Sequence, residues 1–178
     1  MKPTQEFIDQ ILILRCQLRD PQALAELIDR HQRPVRYFIA RLVGNPDLAD
    51  ELSQETWLTV LSKIHTLRSA ATFSVWLYRI ARNKVYEALR RKKVTIELDE
   101  NLEVSDDAGD EFDAFEDAAQ VHRCLEKLQP LHREVLLLRF LEEMSYEQMA
   151  DVLDCNIGTV RSRIFNAKLA LKKELEES

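Results

Sequence analysis

The stretch Ser145–Lys173, SYEQMADVLDCNIGTVRSRIFNAKLALKK, decides how the chain is read. Its serine stands three residues before a glutamine, the pattern in which side chain and backbone satisfy each other's orphan donors at a helix start. A short helix is predicted to follow, with Ala150 as the small residue where a second helix crosses closely. Asp154 to Gly158 supply the turn, because Asp and Asn tolerate left-handed backbone. Asn156 is placed to cap a last helix carrying Val160, Ile164, Leu169 and Leu171 at apolar positions. With Val160 and Ile164 inward, Thr159, Arg161, Ser162, Arg163, Asn166 and Lys168 are exposed. Between Ile157 and Lys173 there are five basic residues and no acid. Such a rod offers donors to base edges and phosphates in a DNA major groove. The same pattern also suits a helical hairpin with a solvated basic face.

Upstream, the chain reads as more helix. Asp20-Pro21 and Asn45-Pro46 each set a capping side chain before a proline at the first helical position. Ala23, Leu24, Leu27 and Ile28 form an apolar stripe after the first pair. Leu48, Leu52, Trp57, Leu58, Leu61 and Ile64 follow the second, and Pro34 is expected to start or kink a helix between them. A third long helix runs from about Phe73 through Trp76, Leu77, Ile80, Ala81 and Val85 to the basic run Arg90–Lys93. From His65 to Lys93 the only acid is Glu87, set against eight Lys and Arg residues. Phe73, Trp76, Tyr78 and Tyr86 are interleaved with them. Basic plus aromatic residues suit single-stranded nucleic acid, held by its backbone while its bases stack; for Trp76 a core position is the simpler reading, and for Phe73 core and stacking are evenly matched. Asp47, Asp50, Glu51, Gln54 and Glu55 cluster near a helix start, where acids complement the helix dipole. They also make a polar face for another protein.

Between these halves the character changes. No Lys or Arg interrupts the acids from Glu97 to Asp117, and such a segment repels itself and buries little, so it reads as a linker. Val94, Ile96 and Leu98 alternate as a short strand would, with Phe112 and Phe115 as local aromatics. Helix resumes near Ala118, Leu125 and Leu128 close one amphipathic turn, and Pro130 opens a helix carrying Val135, Leu136, Leu138 and Phe140.

Bulk properties agree. The chain has 178 residues with only 3 Gly and 5 Pro, too few chain-breakers for a many-turned β fold. The net charge of -6 argues against nucleic acid only until its distribution is considered. Cys16, Cys124 and Cys155 are odd in number and far apart, so reduced thiols in a cytoplasm fit better than a disulfide framework. No apolar run spans a bilayer, and no signal peptide is expected. His31, His65, His122 and His132 are isolated, there is no Gly-rich phosphate loop, and no cofactor, metal or catalytic constellation is expected.

Three ordered stretches resemble the extracytoplasmic-function sigma factors, RpoE-like members of the sigma-70 family. They are Leu52-Ser53-Gln54-Glu55-Thr56-Trp57, Trp76-Leu77-Tyr78-Arg79-Ile80-Ala81-Arg82-Asn83, and the pair Ser145–Ala150 with Gly158–Ile164. Ser53 in place of an aliphatic residue, the order Asp50-Glu51, and Asn166 in place of a basic residue depart from the family pattern. The resemblance implies an all-α, non-enzymatic protein of two domains: sigma-2 at 1–93, an acidic linker at 94–117, and sigma-4 at 118–178. It implies that Asp50, Glu51, Gln54 and Glu55 meet the β′ clamp helices of core RNA polymerase, and that sigma-4 meets the β flap. Arg68, Thr72, Phe73, Arg79, Arg82 and Asn83 would open the promoter's -10 element, Phe73 and its loop holding a flipped base. Thr159, Arg161, Ser162, Arg163, Phe165, Asn166 and Lys168 would read the -35 element. An anti-sigma factor, often membrane-bound, is a further implied partner; direct membrane insertion is not. The rival reading is a dimeric helix-turn-helix regulator that binds duplex DNA without polymerase.

Overall fold

The computed structural model describes residues 5–98 and 116–177, and all regular structure in them is helical. The first half comprises α1 (Gln5–Gln17), α2 (Pro21–Val43), α3 (Pro46–Lys63) and α4 (Phe73–Leu98). Two 3₁₀ turns, Ile64–Thr66 and Ala70–Thr72, join α3 to α4. The second half comprises α5 (Glu116–Lys127), α6 (Pro130–Leu136), a π-helical turn at Leu137–Leu141, α7 (Tyr146–Leu153) and α8 (Ile157–Glu176).

The helix boundaries follow local chemistry. Asp20 accepts from the amides of Gln22 and Ala23 at 2.9 and 3.3 Å, and Asn45 from Leu48 at 2.8 Å, each just before a proline. Asp20 is itself gripped by Arg15, which holds its carboxyl below the usual range. α2 ends on Gly44 at φ 65°, where a side chain would strain the left-handed cap. Pro34 neither starts nor breaks a helix: α2 runs continuously past it. The missing amide there is offset by burial of Val35, Phe38 and Ile39 one turn on. The alternating Val94–Leu98 segment continues α4 rather than forming a strand, and no strand is present among the described residues to pair with it. Residues 99–115, with Phe112, Phe115 and most of the acidic run, lie outside the described residues.

α2, α3 and α4 enclose one core around Leu27, Phe38, Leu52, Val60, Leu77, Tyr78, Ala81 and Val85. Phe38 meets the edge of Tyr78 at 5.2 Å between ring centres. α1 lays Leu12, Ile13 and Cys16 on this core, and Asp9 ties it to α2 through Arg30 at 2.7 Å and His31 at 3.0 Å. Burial lowers the His31 imidazole pKa, partly offset by Asp9. The second core is Val135, Leu138, Met149, Val152, Val160, Ile164 and Ala167. The cores are continuous, because α7 packs against α4 and α6 against α2.

Candidate nucleic-acid and polymerase interfaces

The turn and second helix of the C-terminal motif have the local causes expected of them. Ser145 accepts from the Gln148 amide at 3.2 Å while the Gln148 side chain accepts from the Ser145 amide at 2.8 Å. Asp154 takes the left-handed conformation at φ 52°, and Asn156 accepts from the Thr159 amide at 2.8 Å. Behind α8, Val160, Ile164 and Ala167 are buried. In front of it Arg161, Ser162, Phe165, Asn166 and Lys168 are exposed, while Thr159 and Arg163 are half-buried. Leu169 is exposed and extends the apolar patch begun by Phe165. The Lys168 ammonium lies 5.2 Å over the ring of Phe140, also exposed.

The turn before α4 presents Arg68 and Thr72 to solvent. The Gln17 amide secures this turn by donating to the carbonyls of Ile64 and Leu67 at 3.1 and 2.8 Å. Phe73 corrects the sequence reading: its ring is only 2% exposed and meets the His31 ring edge at 5.4 Å. A ring held there supports the turn from within and is not available to stack a base. Trp76 is half-buried beside it. On α4, Arg79 and Asn83 are exposed, whereas Arg82 is turned inward, its Nε donating to Glu134 at 2.9 Å.

The acidic face of α3 divides in the same way. Glu51 and Gln54 are exposed, while Asp50 pairs with Arg36 and half-buried Glu55 with Lys84 at 2.9 Å. Leu58 and Leu61, expected to join the inner stripe, are 65% and 53% exposed. Their spacing from Glu51 and Gln54 places them on the same side of the helix, so that face is acidic at one end and apolar at the other.

Residues 27–95 match the Sigma-70 region 2 family and residues 118–171 the Sigma-70, region 4 family. The chain is 35% identical to the RNA polymerase sigma-H factor of Pseudomonas aeruginosa over 94% of both chains. It is 33% identical to the ECF RNA polymerase sigma-E factor of Escherichia coli over 97% of both, and 31% to that of Haemophilus influenzae, again over 97% of both. The chain belongs to the extracytoplasmic-function sigma factors of the sigma-70 family. As one of them it directs RNA polymerase to promoters and initiates transcription. Its fold is shared with the sigma factor RpoE solved with the anti-sigma factor NepR from Bartonella quintana (TM-score 0.75, 23% identity, 85% of this chain and 96% of that one). It is shared also with CnrH solved with the cytosolic domain of CnrY (TM-score 0.71, 24% identity, 96% and 99%).

In this sigma factor a further set of polar groups lies between the two halves, and the sequence reading missed it. Glu134 is fully buried, and besides the Arg82 bond it accepts from the Tyr86 hydroxyl at 3.2 Å. The Arg82 guanidinium stacks over the Tyr86 ring at 4.6 Å. Burial raises the Glu134 pKa against the pull of Arg82, and raises the Tyr86 phenol to about 12. Arg163 on α8 acts electrostatically on both. One turn earlier on α4 the buried Tyr78 hydroxyl has no hydrogen-bond partner among the described residues, nor has the buried Oε1 of Glu142, and burial raises the Glu142 pKa. Tyr78, Arg82 and Tyr86 recur every four residues, and an acid inside the apolar run of α6 was the available signal. Among the described residues no His, Cys, Asp and Glu cluster could hold a metal, and no helix is long and apolar enough to cross a membrane.

Proposed function

We propose that the two halves act as separate promoter-reading modules, sigma-2 at 1–93 and sigma-4 at 118–178, tethered by residues 94–117. The observation that carries this is α8. A capped rod, buried on one side by Val160, Ile164 and Ala167, presents Arg161, Ser162, Phe165, Asn166 and Lys168 on the other. Its N-terminal half enters the major groove of the -35 element, as recognition helices do. Arg68, Thr72, Arg79 and Asn83 serve the -10 element, with Arg82 joining them once released from Glu134. On α3, Glu51, Gln54, Asp50 and Glu55 meet the β′ clamp helices, and Leu58 and Leu61 add apolar area to that contact. Sigma-4 meets the β flap. The protein works in the cytoplasm without catalysis of its own, and an anti-sigma factor holds it inactive.

Reconstitution with core polymerase tests the reading. Glu51→Lys is expected to weaken core binding with helicity intact; unchanged affinity would remove α3 from the contact. Asn83→Ala is expected to impair open-complex formation on a duplex promoter more than on a pre-melted one. Equal loss on both templates would contradict a part in melting.

A further inference from the structure

α1 grips the turn between α3 and α4 at two points. Asp9, Ile13 and Gln17 are spaced four apart and share one face of that helix. Ile13 is fully buried, and the two polar residues flank it. At one end the Gln17 side-chain amide uses both its hydrogens on the turn, donating to the Ile64 carbonyl at 3.1 Å and the Leu67 carbonyl at 2.8 Å. The Ile64 carbonyl also accepts from the Leu67 amide at 3.2 Å, the bond that closes the first 3₁₀ turn. Such turns have poor hydrogen-bond geometry of their own, so a donor from outside decides how firmly this one is closed. At the other end Asp9 holds His31 at 3.0 Å, and the His31 ring meets Phe73 at the head of α4. Between these grips Arg68, Ser69, Ala71 and Thr72 are exposed. Leu67 and Ser69 are extended on either side of Arg68, and the Thr72 amide closes the second turn on the Ser69 carbonyl at 3.1 Å.

The outward side chains belong to the turn, but their placement is set from α1. A loop already held in its receiving form binds and discriminates better than a mobile one, because less ordering remains when the strand arrives. We propose that Gln17 is a positioning residue for promoter opening: its amide presets residues 64–72 in the form that receives the -10 strand. The inference rests on the reading of that turn as a -10 element. Gln17 is half-buried behind the turn, on the side away from Arg68 and Thr72. What the position requires is a donor, since both partners are carbonyls. A side chain of similar length without N–H leaves both acceptors to water, and the turn then samples other closures. Lysine, donor-only and slightly longer, can still reach them.

The test uses the full chain assembled with core polymerase, on a promoter that this holoenzyme selects from genomic DNA. Gln17→Met keeps length and helix propensity and removes the donors. Gln17→Lys restores them, and Arg68→Ala checks the turn itself. Each is measured for helicity, core affinity and rate of open-complex formation, on the selected promoter and on copies with single -10 or -35 bases exchanged. Gln17→Met is expected to slow opening on the order of tenfold, if the released turn holds the receiving form about a tenth of the time. Preference among -10 bases should flatten, while -35 preference, core affinity and helicity stay at wild type. Gln17→Lys should recover most of the rate, which a role in packing alone would not allow. Wild-type behaviour of Gln17→Met beside an impaired Arg68→Ala would overturn the proposal and leave the turn as a -10 element. An unimpaired Arg68→Ala would overturn the -10 reading of the turn, and the positioning role with it. Equal loss in Gln17→Met and Gln17→Lys, or loss of helicity in Gln17→Met, would make Gln17 a packing residue and overturn the assignment.

Discussion

The two helices that carry this protein's basic residues are in opposite situations. α8 keeps Arg161, Asn166 and Lys168 in solvent and spends its buried side on its own half. α4 exposes Arg79 and Asn83 but commits Arg82 to an acid from the other half and Tyr78 to the core. Both helices are rich in basic residues, although α4 has four aromatics and α8 one; what separates them further is who packs against them. A basic helix in a sequence therefore identifies a potential contact surface, and only the fold decides whether that surface is on offer. The outward side chains of α8 are accessible as the chain is packed, whereas Arg82 of α4 is held by Glu134.

The largest expected perturbation of this asymmetry is Met149→Ala. Met149 is completely buried in α7, the helix that packs against both α4 and α8. The cavity should cost about 2–5 kcal/mol, and a melt that loses less than about 1 kcal/mol would show the junction to be loosely packed. Next comes the open helix itself. Arg161→Ala should cost about 1–3 kcal/mol and relax preference at particular -35 positions, because a guanidinium reading a base edge discriminates by that much. Lys168→Ala should weaken all duplexes alike and reduce the salt slope by about one unit. A panel of -35 duplexes titrated at several salt concentrations separates the two; an Arg161→Ala variant that shifts every duplex equally would make Arg161 a phosphate clamp.

A smaller effect is expected at the motif's first turn. Ser145→Ala removes half of the capping box and should destabilise by about 1 kcal/mol, with a greater share of the loss appearing as faster amide exchange in α7 than in α8. The smallest concerns pH. Burial raises the Glu142 carboxyl, and the Tyr78 hydroxyl only partly offsets that. A raised acid favours the folded form while protonated, so its stabilisation is present below the ordinary carboxylate range and is lost as pH rises through the raised value. The melting temperature of Glu142→Gln relative to wild type should therefore increase from acidic to neutral pH. A constant difference across that range would show that folding leaves the Glu142 pKa unshifted.

Much of the architecture was legible because it was written in local chemistry. Asp20, Asn45, Ser145 with Gln148, and Asn156 all cap where their spacing says, since a cap involves residues only two or three apart. Pro34 and the Val94–Leu98 alternation misled for the opposite reason: neighbours distant in sequence, or their absence, decided the outcome. For the candidate residues the same divide holds. The outward set on α8 follows from helical geometry once Val160 and Ile164 are inward. Phe73 reads equally well as a core or a base-stacking aromatic until His31, forty-two residues earlier, is found at its edge. Leu58 and Leu61 read as core until α3 is seen to turn them out. Glu134 was illegible as anything but an exception, because its partners lie 52 and 48 residues away on another helix.

The π-helical turn at Leu137–Leu141 gains a different significance beside these contacts. There the Glu142 amide reaches back five residues to the Leu137 carbonyl at 3.2 Å, one residue more than a regular helix allows. Each residue of an α-helix advances about 100°, so that single extra residue sets the azimuth at which everything after it leaves the helix. Removing one residue would restore a regular helix and rotate Glu142 and everything after it, while Glu134, upstream of the turn, would keep its place. Length variation at this one point thus works as a tuning peg. Designed variants one residue shorter there would retain the Arg82–Glu134 ion pair while α7 and α8 leave at a different azimuth.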